Sequence, residues 1–143
     1  MHCKLPGVSM TAEQVRDEVR RYWGAFSSKS AENVDGFYLP EAVVFGSSSA
    51  RAEPGRLAAT RRKREYFHSE SHISVQLGAI EVQMLGEEAA VASYTFRFHA
   101  SNVAGALGRT VEEKIEHGRV TQVFVSGGDG RLAIVNEHIS VIA

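Results

Sequence analysis

His138 is the side chain in this sequence best matched to proton transfer near neutral pH, and it stands in a strand-like run, "IVNEHISVIA" at 134–143. Taking alternate residues divides the run into two faces. Leu132, Ile134, Asn136, His138, Ser140 and Ile142 form one, which passes from apolar to polar as a strand does when it leaves a core to line a pocket. Val135, Glu137, Ile139 and Val141 form the other, a sheet-packing or subunit surface interrupted by Glu137, which there needs a partner such as Arg97 or Arg119. On the first face His138 reads as a general acid, base or hydrogen-bond donor, or else as a satisfied structural or interface histidine. Glu113, between Val111 and Ile115, is a carboxylate that could orient the His138 ring if both side chains faced one cavity. His138 and Glu113 are therefore the catalytic candidates.

Other reactive groupings are sparse. His68 and His72 are four apart but straddle a helix end with no third ligand nearby, so no metal site is expected. "RRKR" at 61–64 sits beside Glu65 and Glu70 and reads as a solvated helix face. "SGGDG" at 126–130 lacks the following Lys-Ser/Thr of a phosphate loop and reads as a turn. There is no cysteine cluster and no nucleophile elbow, and no cofactor is expected. Sixteen Lys+Arg against seventeen Asp+Glu give no general attraction to nucleic acid or an anionic membrane. Cys3 is the only cysteine, and "MHCKLPGVSM" has no apolar signal region, so the sequence reads as a soluble cytoplasmic protein. Its 143 residues suit one domain, residues 11–143, behind a frayed start at 1–10.

The elements that must position these residues follow from periodicity. Val15, Val19, Tyr22, Trp23 and Phe26 make one stripe of a helix that opens on a Thr11–Gln14 capping box. "AENVDGFY" gives a short second helix ending near Gly36, with Pro40 blocking continuation. "AVVFGSSSARAE" reads as a short strand, a Ser-rich turn and a second strand, and Pro54 opens a basic helix over about 54–67. Strands follow. Ile73, Val75 and Leu77 alternate on one parity and Ile80, Val82 and Met84 on the other, a slip that predicts a β-bulge at Gly78-Ala79. Ala90, Ala92, Tyr94, Phe96 and Phe98 share a face of the next strand. A third long strand runs through Gly118, and "SGGDGR" turns it into the last. Helices first and a meander afterwards predict an α+β fold: a curved antiparallel sheet of four long strands plus a short hairpin, wrapped around N-terminal helices as a cone with an internal pocket. Tyr22, Trp23, Tyr38, Phe45, Tyr94, Phe96, Asn136 and Ser140 are the expected pocket lining.

Four phrases in order, "VRRYWGAF", "FYLPEAVVFG", "LGEEAAVASYTFRF" and "GRVTQVF…GRLAIVNEHIS", resemble the nuclear transport factor 2-like superfamily over about residues 11–143. That group includes ketosteroid isomerase, SnoaL-like cyclases, scytalone dehydratase and the association domain of calcium/calmodulin-dependent protein kinase. The final strand of the SnoaL-like and kinase association groups commonly ends "H.S"; His138 and Ser140 fit, while Leu132 or Ala133 replaces the usual tryptophan. The resemblance implies a small, largely apolar ligand and acid–base chemistry, or alternatively a non-catalytic association module. It also implies a homodimer or higher oligomer through the sheet face. Tyr22 matches the tyrosine of the isomerases. The two regions where those enzymes carry carboxylates read Val44-Phe45-Gly46-Ser47 and Gly118-Arg119-Val120-Thr121, so isomerase chemistry of that type is not expected.

Overall fold

The computed structural model describes residues 10–46, 52–56, 67–68, 72–104, 110–127 and 129–142. Helix α1, Ala12–Ser27, begins on the expected capping box: the Gln14 amide donates to Thr11 Oγ1 at 3.1 Å and the Thr11 amide donates to Gln14 Oε1 at 2.9 Å. Its five apolar stripe residues are all buried. Lys29, at φ 60°, turns the chain out of the helix, and Ser30 caps α2, Ala31–Asp35.

One sheet carries the rest. Its strands are β1 Tyr38–Phe45, β2 Glu53–Pro54, β3 His72–Leu77, β4 Glu81–Met84, β5 Ala89–Ala104, β6 Thr110–Ser126 and β7 Leu132–Val141. They lie in the order β2-β1-β7-β6-β5-β3, with β4 also on β5. Pairing is antiparallel except between β1 and β7, which run parallel and so depart from the all-antiparallel expectation. Chain order could not show this, because the two strands come from opposite ends of the sequence and share no hairpin. Pro54 pairs with Val43 in β2 at the sheet edge, where its missing N–H is harmless, rather than opening a helix. Of the helix expected over 54–67, Arg56 and Phe67 are helical and residues 57–66 lie outside the described residues.

Two irregularities shape the sheet. Leu77 lies opposite Phe96 and Glu81 opposite Ser93, so β3–β4 spends one residue more than β5 across Gly78-Ala79, the expected bulge. A Cβ on Gly78 would come within 2.5 Å of Thr95 Oγ1, which explains the glycine. The second irregularity was not expected. Phe124 lies opposite Ile134 and Val123 opposite Asn136, so Val135 is an extra residue in β7. A one-residue insertion reverses every face beyond it. Ile134 and Glu137 therefore face the helices together, and Asn136 and His138 face away.

The buried side of the sheet presents Ala90, Ala92, Tyr94, Phe96, Phe98 and Ala100 from β5 and Val120, Gln122 and Phe124 from β6. Aromatic rings join it to α1. Trp23 stacks on Phe96 at 5.4 Å, and Phe26 meets Phe67 and Phe98 edge-on at 4.9 and 6.1 Å.

Candidate functional site

Glu137 is fully buried, between Val44 of β1 and Gln122 of β6. Both of its carboxylate oxygens accept hydrogen bonds from neutral groups: Tyr38 Oη donates to Oε2 at 2.7 Å and Gln122 Nε2 donates to Oε1 at 2.7 Å. Each donor ends a longer chain. Trp23 Nε1 donates to Tyr94 Oη at 2.8 Å, and Tyr94 Oη donates to Gln122 Oε1 at 2.6 Å. On the other side the Tyr22 and Tyr38 hydroxyls are 2.8 Å apart. Because the Tyr38 proton is given to Glu137, Tyr22 must donate to Tyr38. Two relays of donors thus converge on one carboxyl group, which accepts at both oxygens.

The same burial acts on the phenols. Removal from water, and next the negative charge of Glu137, hold Tyr22 and Tyr38 well above the ordinary tyrosine range. Tyr94 is also raised by burial, against the opposing effect of the Trp23 hydrogen bond. All three therefore stay protonated and available as donors at neutral pH. The site can stabilise charge on one carboxylate and move a proton to or from it.

The clefts on the surface of the described residues include three of about 400 Å³ or more. One of about 770 Å³ is lined by Ala25, Phe37, Leu39 and Leu132 together with the charged Glu18, Arg21, Glu32, Arg56, Asp129 and Arg131, and it borders Tyr38. The other two, of about 470 and 400 Å³, touch none of the six network residues. Among the described residues no group of His, Cys, Asp and Glu is placed to hold a metal ion. No helix among them is long and apolar enough to cross a membrane.

Of the residues singled out from sequence, Tyr22, Trp23, Tyr38 and Tyr94 enter the network, and Phe96 packs on Trp23 beside it. Phe45, Asn136 and His138 are exposed on the opposite side of the sheet, with half-buried Ser140; the Val135 insertion puts Asn136 and His138 there, and Phe45 pairs with His138. The Phe45 and His138 rings are 5.6 Å apart there. Glu113 does not meet His138. Glu113 lies opposite Ser101 and 3.8 Å from His99, whereas His138 lies opposite Thr121, eight residues further along β6. That separation is about 27 Å in an extended strand. Arg97 and Arg119 are exposed and Glu137 is not, so neither is the partner expected for it. Glu137 and Gln122 were missed as site residues. Gln122 did leave a signal: it alternates with Val120 and Phe124 on a buried face, where an amide must be bonded.

The comparisons agree with this geometry at the level of fold. A structure from Streptomyces avermitilis, a candidate dehydratase of the nuclear transport factor 2-like family, superposes with a TM-score of 0.79 at 15% identity over 91% of this chain and 95% of its own. A candidate calcium/calmodulin-dependent protein kinase II association domain from Xanthomonas campestris gives 0.76 at 19% identity, over 99% and 97%. A Catenulispora acidiphila protein in complex with S-DNPA gives 0.72 at 18%, over 90% and 91%. No curated protein matches the sequence. The profile of the SnoaL-like domain matches residues 15–143. With a match that covers most of its length, the chain belongs to the SnoaL-like domain family.

Proposed function

We propose that this chain binds a small, largely apolar molecule and exchanges a proton with it through Glu137. The observation that carries the reading is the convergence of two hydrogen-bond relays on one buried carboxylate. Burying a charge costs several kcal/mol, roughly, even when it is well bonded. A buried carboxylate held by donors at both oxygens is also the arrangement that can take up and return a proton. The large cleft beside Tyr38, about 770 Å³, lies within the range that holds small ligands, roughly 300–1,000 Å³. The candidate dehydratase and the S-DNPA complex among the structural neighbours are compatible with such a ligand. Native mass spectrometry of the purified protein, with and without Glu137→Gln, tests this. Wild-type protein carrying an organic molecule that the variant loses supports it; equal loading of both removes Glu137 from the site.

A second reading, a non-catalytic association module, is favoured by the outer sheet face, where Phe45 and Ile115 are exposed. The neighbouring association domain fits it as well. Light scattering separates the two readings: an empty higher oligomer that Phe45→Glu breaks apart supports assembly as the function.

A further inference from the structure

The two relays that meet at Glu137 differ in whether they can reverse. The arm Trp23–Tyr94–Gln122 ends on an indole, which donates and never accepts. Tyr94 must therefore accept from Trp23 and spend its own proton on Gln122 Oε1, 2.6 Å away. Gln122 is left with only its NH₂ to present to Glu137 Oε1. A donor-only group two links away thus dictates which end of the amide meets the carboxylate. The arm Tyr22–Tyr38 has a hydroxyl at each position, and either oxygen can be the donor across its 2.8 Å link. Rotation of two O–H bonds turns it from giving a hydrogen bond to Oε2 into accepting one from it, with Tyr22 then accepting from Tyr38 and its own proton turned away from that link.

We infer that Trp23, Tyr94 and Gln122 are positioning residues that confine the proton taken up by Glu137 to Oε2, the oxygen beside Tyr38. This rests on the reading of Glu137 as the proton-exchanging group and names which of its oxygens reacts. A proton on Oε1 would make that oxygen a weak acceptor facing an N–H that cannot withdraw. A proton on Oε2 meets Tyr38 Oη, which accepts it as the Tyr38 proton turns to Tyr22. A ligand exchanging a proton with Glu137 is accordingly served from the Tyr38 side, the side that borders the large cleft.

The test uses Glu137→Gln, whose new amide marks one carboxylate position with nitrogen, in protein with a single tryptophan and hence one indole N–H resonance. The new amide protons are expected to show cross-relaxation with the Tyr38 ring, and the Trp23 indole peak to stay within a line width of wild type. Amide protons directed at Gln122, with a moved indole peak, would overturn the inference. Adding Tyr94→Phe should abolish the preference; its persistence would remove Trp23 and Tyr94 from the positioning role. Should these variants fail to fold, neutron diffraction from wild-type crystals decides, with deuterium expected on Gln122 Nε2 toward Glu137 and none on Oε1. Deuterium on Oε1 refutes the assignment. No ligand enters these measurements, so their outcome is separable from the ligand test of Glu137 itself.

Discussion

Truncating Glu137 to alanine should be among the costliest single changes in this protein. The carboxylate is fully buried and is the acceptor for both Tyr38 Oη and Gln122 Nε2. Losing it strands two buried donors at about 1–3 kcal/mol each, so the total is about 3–6 kcal/mol once part of the cavity left behind is included. Unfolding entropy of about 2.1 cal/mol/K per residue gives about 0.3 kcal/mol/K over 143 residues, so Tm should fall by about 10–20 °C. Glu137→Gln is the control. Its carbonyl can accept from Gln122 while its NH₂ donates to Tyr38, whose proton turns to Tyr22, and the Tyr22 proton then gives up Tyr38 as its acceptor. It should therefore cost less than alanine, about 1–3 kcal/mol or about 3–10 °C. Calorimetry at neutral pH, with far-UV circular dichroism to verify the fold, measures both. An alanine variant within about 3 °C of wild type would refute the central place given to Glu137. A glutamine variant as damaged as alanine would show that charge, rather than hydrogen bonding, dominates the site's contribution to stability.

Alkali supplies a second prediction. Tyr22, Tyr38 and Tyr94 have folded pKa values above the reference 10.0, so the fold holds their protons more tightly than the unfolded chain does. Their stabilising contribution is complete below about pH 10 and is lost as pH rises above it. In a phenolate absorbance titration, three of the four tyrosines should ionise only with unfolding; early ionisation of more than one would contradict their burial. Gly118 lies opposite Phe96, and a Cβ there would fall on the Phe96 ring, so Gly118→Ala should cost about 1–3 kcal/mol in denaturant unfolding. A neutral result would mean that the ring lies elsewhere. His138→Ala and Glu113→Gln alter exposed side chains and should each stay within about 0.5 kcal/mol of wild type in the same assay. Both should leave the ligand load in native mass spectrometry unchanged; its loss in His138→Ala would move the site to the outer sheet face.

What the sequence determined by itself was the material of each element. The stripe Val15–Phe26, its capping box, the change of parity at Gly78-Ala79 and the buried alternation from Ala90 to Phe98 are local, set by neighbours three or four residues away in a helix and two away in a strand. Tyr22, Trp23 and Tyr94 were legible for the same reason, since each lies on a face whose period is uninterrupted. What only the tertiary structure decided was the sign of the last strand. The residue inserted at Val135 exists only relative to β6, because a bulge is a mismatch between two strands rather than a property of one. Alternation carried across it exchanged the faces of Glu137 and His138, giving the interior a histidine where the fold places a carboxylate. The parallel β1–β7 contact, which sets Val44 against Glu137, is equally non-local. Residue types announced that this chain can hold polar chemistry in an aromatic core; pairing between distant strands chose which acid does so.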